Sequence, residues 1–372
     1  MVSLRFNHKL IWISSFLIGA ILLVGCARVR DTALTPEQIP SGIEQTVAFV
    51  DVTVIPMDRE QVWEGQTVIV KDGRIAQMGP NATIDIPEDA FRVDGSGRFL
   101  LPGLSDMHVH LHEYENDLLL HLANGVTTVR ELTGAPWHLK WRDEIARGER
   151  LGPNLWVYSA KIGSSRRIDR AGLDRQPHAV RLTRLSQFLG LRSALGVPSV
   201  LVDDPQKAEQ VTANLVQQGY DGIKMGSYAS QEVYRAVTVS AQQRGIPVIG
   251  HIPYSIWLDD FLSSEQEEAA HVEELFKILL DAFPDHYNLT SPEEVDAYFA
   301  GLEAWAFPET AQRVADADKW VTTTLAAMRG FAQQAYHITY TRDIAGVMVR
   351  GRWYTRTDLD RMLDEIAAAH EG

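Results

Sequence analysis

The sequence of 372 residues predicts an α/β protein built on a (β/α) TIM-like barrel, with a small β-sandwich beside it. Strand-like apolar runs alternate with helical patterns through the middle of the chain, as where Asp221-Gly-Ile-Lys-Met precedes the helical stretch 231–244. Repeated β–α units imply a parallel sheet covered by helices. A barrel is favoured over an open sheet at this length, and the absence of a glycine-rich phosphate loop argues against nucleotide binding.

Short β-runs between Gln45 and Val93 predict the sandwich, because turn signals such as Lys71-Asp72-Gly73 separate them. A hairpin beginning near Asp343 and turning at Arg350-Gly351 is expected to rejoin this unit. The sequence therefore predicts a sandwich over 45–102 and 343–357, a barrel over 103–342 and a C-terminal helix over 358–372.

The N-terminus predicts a lipoprotein signal peptide over residues 1–26. A basic start precedes an apolar stretch from Leu10 to Val24, which is shorter than the roughly 20 residues of a membrane-spanning helix. The end of this stretch, Leu23-Val-Gly-Cys26, resembles a bacterial lipoprotein cleavage box. Cys26 is the only cysteine and is therefore the predicted site of lipid attachment, with an uncleaved anchor or a simple secretory peptide as the alternatives.

Residues 27–44 carry Pro36 and Pro40 and little periodicity, and they predict a linker between membrane and domain. The expected location is the periplasmic face of the bacterial envelope. Ala27 rather than Asp follows the cysteine, which favours the outer membrane.

The charge of the chain excludes one class of partner. The net charge is −14, and no basic run follows the N-terminus. Nucleic acid is not expected to bind, because neutralising phosphates requires clustered Lys and Arg.

The most informative motif is Pro102-Gly-Leu-Ser-Asp-Met-His-Val-His-Leu, which follows an apolar run. Side chains two residues apart on a strand lie on one face, so His108 and His110 can bind one metal ion together. Paired histidines can equally be ordinary strand residues. Further candidate ligands at other strand ends favour the metal-binding interpretation.

Polar residues at the ends of the later strands supply these candidates. The active site of a (β/α) barrel lies at the C-terminal ends of its strands. Lys224 ends one apolar strand, His251 ends the next, and His271 follows Ala269-Ala270. Each has an ordinary alternative: a solvated lysine, a core histidine, and a histidine within a plain helix.

These motifs together resemble the amidohydrolase superfamily, in its group of imidazolonepropionase-like and prolidase-like enzymes. The likeness covers roughly residues 45–325 and 343–366. It is carried by the Pro-Gly-X-X-X-X-His-X-His element, which is specific, and by weaker elements in the family order: Gly125-Val-Thr-Thr-Val-Arg, Gly222-Ile-Lys, Gly250-His, Ala270-His and Gly346-Val-Met-Val-Arg-Gly-Arg.

The resemblance implies a site with two divalent metal ions, for which zinc suits imidazole ligands. His108 and His110 would hold one ion, and His251 and His271 the other. Lys224 would carry carbon dioxide as a carbamate and bridge both. The implied reaction is hydrolysis of an amide, peptide or cyclic C–N bond in a small-molecule or dipeptide-like substrate by a metal-bridged hydroxide.

Other residues receive lesser roles. Tyr228 and Tyr254 follow ligand positions and are candidates for substrate contact, or else ordinary loop aromatics. Arg130 ends a strand and faces either the pocket or a salt bridge. Asp106 is expected to brace the turn before the histidine pair, and His112 to lie behind the ligands or on the surface.

One expected residue is missing. The family places an aspartate at the end of its eighth strand as metal ligand and general base, but no Asp or Glu occurs between Asp318 and Asp343. An internal deletion between about Arg329 and Tyr336 explains this, and it predicts an incomplete barrel without strand eight. A catalytically inactive envelope lipoprotein that acts as a binding or scaffold protein is therefore the alternative.

Overall fold

The computed structural model describes residues 41–111, 116–164, 199–272, 274–275, 291, 293–294, 297, 300, 307–324 and 345–371. The signal peptide with Cys26, most of the linker, His112 and the region of the predicted deletion lie outside the described residues. These predictions are therefore not tested by the structure.

The N-terminal part of the chain forms a five-stranded sheet centred on one strand. Strand β1 pairs with β2 in antiparallel fashion and with β4 and β5 in parallel, while β3 lies outside β2. The turn between β2 and β3 has positive φ angles at Asp72 and Gly73, as its Asp-Gly sequence predicts. The strands are β1 Val47–Val54, β2 Trp63–Lys71, β3 Arg74–Pro80, β4 Phe91–Asp94 and β5 Phe99–Leu100.

The C-terminal hairpin packs against this sheet. Its strands are β15 Gly346–Val349 and β16 Arg352–Thr355, and Trp353 forms an antiparallel bridge with Ile43. The Trp353 ring also meets Phe49 edge to face, with 5.1 Å between the ring centroids. The hairpin thus rejoins the N-terminal unit as predicted, but it pairs as a separate two-stranded sheet. The sandwich and its boundaries stay predictions.

Parallel strands form the central part of the molecule. One sheet has the order β6-β7-β8 and another the order β10-β9-β11-β12-β13-β14, and a parallel bridge between Tyr158 and Gly222 joins them. The strands are β6 Leu104–Val109, β7 Val126–Glu131, β8 Asn154–Val157, β9 Lys161–Gly163, β10 Ser199–Leu201, β11 Ile223–Met225, β12 Val248–Gly250, β13 Gln266–Ala269 and β14 Trp320–Val321.

Helices alternate with these strands and begin where the sequence provides caps. Asp204 accepts a hydrogen bond from the backbone N–H of Gln206, and Ser230 accepts one from that of Val233. The helices are α1 Asn116–Ala123, α2 Pro136–Arg147, α3 Pro205–Gln217, α4 Gln231–Gln242, α5 Leu258–Leu262, α6 Phe307–Asp316 and α7 Arg356–Glu371. Among the described residues, no helix combines the length and hydropathy needed to cross a membrane.

The two faces of the parallel sheets have different neighbours. Ile223 and Met225 are fully buried in the cluster that includes Val233 and Val237 of α4. The opposite face carries a smaller apolar cluster whose members come from both sheets, namely Leu132, Tyr158, Ile249 and Ala270. An α/β fold with parallel sheets is therefore confirmed. The TIM-like barrel, incomplete for want of strand eight, stays a prediction.

Candidate metal-binding site

The paired histidines lie at the end of β6, as the sequence predicts. The backbone N–H of His108 donates to Asp106 Oδ1 over 3.1 Å, which braces the chain just before the pair. The Nε2 atoms of His108 and His110 lie 3.3 Å apart, with the ring planes at 85°. The two imidazoles therefore present the same nitrogen to one point.

A threonine and a buried glutamate fix the orientation of His110. The Thr133 hydroxyl lies 2.9 Å from His110 Nδ1 and donates its proton to Glu131 Oε1 over 2.8 Å. Thr133 Oγ1 must therefore accept from His110, which places the imidazole proton on Nδ1. The lone pair of His110 is then on Nε2, the atom that faces His108.

Glu131 is fully buried and held by several donors. The backbone N–H groups of Leu111 and Thr133 both donate to its carboxylate. Burial raises the pKa of Glu131, but the hydrogen bond with His110, the charge of His138 and these backbone donors outweigh it, so the pKa lies below its ordinary value. The carboxylate thus provides a fixed negative charge behind His110.

The other two predicted histidine ligands adjoin this pair. The ring of His271 lies 4.6 Å from that of His108, and the ring of His251 lies 4.9 Å from that of His271 (centroid distances). His251 Nδ1 lies 2.7 Å from Glu274 Oε1, and His271 Nδ1 lies 3.1 Å from Thr324 Oγ1. Four imidazoles from three separate strand ends therefore form one continuous cluster.

Burial favours the neutral, ligand-competent form of these imidazoles. It lowers the pKa of His108 well below its usual value, and the charges of Lys224 and His271 lower it further. Burial, aided by the charges of His251 and Lys224, also lowers the pKa of His271 to about 4. A neutral imidazole keeps a lone pair for a cation.

Lys224 of β11 completes the cluster. Its side chain is 1% exposed, and its Nζ atom has no hydrogen-bond partner among the described residues. Burial lowers the pKa of Lys224 to about 7, with the charge of Lys161 acting in the same direction. A buried amine without a partner is costly, so this position indicates a group that the amine normally binds.

The donor set fits metal ions, although the histidine rings touch one another. No set of three or more His, Cys, Asp or Glu side chains in the described part of the chain has its ligand atoms arranged around one ion. However, two nitrogens bound tetrahedrally to zinc at about 2.05 Å lie about 3.3 Å apart. The distance between the Nε2 atoms of His108 and His110 has this value.

The three weaker candidates have different surroundings. Arg130 is buried and donates to Glu268 over 2.5 Å and to the Met107 carbonyl over 2.8 Å, so the structure shows the salt bridge that the sequence left open. Tyr228 and Tyr254 follow β11 and β12, and their ring centroids lie 5.1 Å apart. Their contact with substrate stays a prediction.

The structure adds residues that the sequence motifs did not indicate, namely Glu131, Thr133, Glu274 and Thr324. Glu131 ends strand β7 and Thr133 follows it, and their position at a strand end could have identified them as site residues. Glu274 lies in Glu267-Glu-Ala-Ala-His-Val-Glu-Glu, for which a plain helix was the alternative. The structure shows strand β13 over Gln266–Ala269, so the helical alternative is wrong for residues 267–269.

Comparison with solved structures shows the same fold in amidohydrolases and dipeptidases. The structure titled bottromycin amidohydrolase matches with a TM-score of 0.55 at 18% identity, covering 87% of this chain and 91% of that one. A Xaa-Pro dipeptidase with bound methionine matches with a TM-score of 0.52 at 14% identity, covering 88% and 77%. These likenesses concern the fold, and in fold they agree with the resemblance that the motifs predicted.

Similarity to curated proteins is local. An imidazolonepropionase of Vibrio cholerae is 43% identical over 51 residues, which are 14% of this chain and 12% of that protein. The chain spans 8% to 31% of the length of the first curated relatives it matches. No protein-family model matches the chain.

Proposed function

We propose that this chain is a metal-dependent hydrolase that cleaves an amide, peptide or cyclic C–N bond. One observation carries the proposal: the buried amine of Lys224 lacks a partner and adjoins four clustered imidazoles, three of which have Nδ1 beside a side-chain oxygen. Anchoring through Nδ1 leaves Nε2 for a cation, as is usual for histidines that bind metals.

The residues divide into two groups of ligands. His108 and His110 would hold one divalent cation, His251 and His271 a second, and Lys224 would bridge them after its neutral amine adds to carbon dioxide and loses a proton. Zinc suits this donor set. Cations held by these residues would supply an activated water and polarisation of the scissile carbonyl. Glu131 and Glu274 would keep their histidines oriented, and Tyr228 and Tyr254 would contact substrate.

A second function, binding without catalysis, is favoured by one feature of the sequence. The stretch between Asp318 and Asp343 contains no carboxylate that could serve as the eighth-strand base. The two carboxylates that hold histidines, Glu131 and Glu274, are already engaged with them. Metal could therefore bind without turnover.

The test combines metal analysis with an activity panel. Zinc-loaded protein is expected to contain two ions per chain and to hydrolyse at least one member of a panel of dipeptides, N-acyl amino acids and cyclic amides. His110→Asn is expected to lower metal content and reduce kcat/KM by about 100-fold or more. His121→Asn, on helix α1 outside the cluster, is the matched control and should change neither.

The outcomes separate the two functions. Bound zinc without turnover on any substrate supports the binding protein and contradicts the hydrolase. Failure to bind zinc, cobalt or manganese in a cooperatively folded protein contradicts the metal centre itself.

A further inference from the structure

A second lysine, Lys161, lies beside Lys224 and has no role in the proposed chemistry. Strand β9 pairs with β11 in parallel, and Ile162 lies opposite Met225. Successive side chains alternate between the two faces of a sheet, and neighbouring strands lie about 4.8 Å apart. Lys161 and Lys224, each one residue earlier, therefore point to the same face from adjacent strands.

That face is the one with the imidazole cluster. Ile162 and Met225 are fully buried among the apolar residues of the opposite face. Lys224 lies in register with Ile249, two residues before His251, so these side chains share a face with Lys161. In agreement, the charge of Lys161 lowers the pKa of both Lys224 and His251.

The surroundings of Lys161 differ from those of other buried cations in the described part of the chain. Among the residues that the structure describes, no carboxylate forms an ion pair or a hydrogen bond with it, and burial alone lowers its pKa. Two other cations among the described residues do have partners: Arg130 pairs with Glu268, and Lys319 donates to the carbonyls of Ser264 and Gln266. A partly buried ammonium without a partner attracts an anion.

We propose that Lys161 binds a carboxylate of the substrate, so that the hydrolysed compound is a small amide or peptide with a free carboxylate near the scissile bond. The inference rests on the proposed function for the reaction, but the anion-binding role can be measured separately. Lysine binds carboxylate through a point charge and rotatable donors, which suits a small and variable acid.

The test compares paired probes that differ only in charge. Binding of N-acetyl amino acids and of the corresponding N-acetyl amino acid amides to the zinc-loaded protein is measured by calorimetry, and kcat/KM is measured for dipeptides and their C-terminal amides. The wild type is expected to favour the acids. Lys161→Met should lower the affinity and kcat/KM for the acids by about tenfold or more. The values for the amides should be unchanged.

Two control variants sharpen the result. Lys161→Arg should keep most of the preference for acids, because the charge is retained. Lys207→Met removes an exposed lysine of helix α3 and the same net charge, and it should leave the preference unchanged. Zinc content is measured in each variant.

Three results overturn the proposal: no preference for acids in the wild type, equal losses on acids and amides in Lys161→Met, or a fall in zinc content that accounts for the loss. The last result would assign Lys161 to support of the Lys224 carbamate. Preference for acids that depends on Lys161 without turnover upholds the anion subsite and contradicts only the hydrolase. Turnover without such a preference upholds the hydrolase and contradicts the anion subsite.

Discussion

His110, His251 and His271 each have Nδ1 beside a side-chain oxygen: Thr133, Glu274 and Thr324 respectively. Such contacts set the tautomer and the ring orientation before any cation arrives, which lowers the cost of binding it. The oxygen comes from a hydroxyl at two positions and from a carboxylate at one. The role of a hydroxyl can be tested by a substitution that leaves the charge of the site unchanged.

Thr133→Val removes the hydroxyl that connects His110 to Glu131. We expect the affinity for zinc to fall by about 10- to 100-fold while the fold is retained, because valine has nearly the same shape but cannot accept from Nδ1. Competition with a chromogenic chelator measures the change. Thr133→Ser should restore most of the affinity, and equal affinities of the Val variant and the wild type would contradict the role.

At the scale of single residues, the sequence predicts the candidate metal ligands better than the residues that orient them. His108 and His110 are recognisable because their spacing places both on one side of a strand. Thr133 and Thr324 are not, since a single threonine after a strand has many uses and its partner is distant in the chain. Lys161 is also hidden, because only the register with β11 shows which face it occupies.

At the scale of helices and strands, the sequence pattern predicts which polar residues lie at the ends of the apolar strands. Lys224 lies within β11, in register with Ile249 of β12, and His251 directly follows β12. The secondary structure of the stretch before His271 is harder to predict, because the composition of Glu267-Glu-Ala-Ala favours a helix. Parallel pairing of β13 with β12 and β14 overrides that propensity.

An ion pair between strands β7 and β13 provides a test of how these elements hold together. Arg130 and Glu268 have side chains only 8% and 9% exposed, and the Thr322 hydroxyl also donates to Glu268. Glu268→Met should lower the free energy of unfolding by about 3–5 kcal/mol, since it leaves a buried guanidinium without its partner. Urea denaturation followed by tryptophan fluorescence measures the loss.

The double variant Arg130→Met/Glu268→Met is the control for this pair. It should recover most of the lost stability, because no unpaired charge stays buried. A loss below about 1 kcal/mol in the single variant, or no recovery in the double one, would show that the pair does not act as a unit.

Over the whole molecule, strands β6 and β14, each at one end of a described parallel sheet, expose apolar side chains. Leu104 and Met107 of β6 are 48% and 41% exposed, and Trp320 of β14 is 70% exposed. A closing strand would pair with both strands and cover such groups. The sequence predicts the parallel sheet from its β–α repeats. It could not predict the closure, since the stretch after β14 lacks the eighth-strand motif.

Buried neutral histidines make the stability of the metal-free protein depend on pH. Burial lowers the pKa of His108, His251 and His271 at the site and of His138 in helix α2, whereas in the unfolded chain these groups titrate near 6.5. Below that value the unfolded chain binds more protons than the folded one. The free energy of unfolding must therefore fall as the pH drops through this range.

We expect the free energy of unfolding of the metal-free protein, measured by urea denaturation, to fall steadily between about pH 7 and about pH 5, and the urea midpoint to fall with it. The slope is up to roughly 1.4 kcal/mol per pH unit for each histidine that stays neutral when folded. Lys224 acts in the same direction at higher pH, because its pKa of about 7 lies below the ordinary lysine value. His138→Gln should reduce the slope by the share of one histidine while leaving the four imidazoles of the cluster in place. A midpoint that is constant or rises on acidification would show that these imidazoles are accessible to protons in the folded chain.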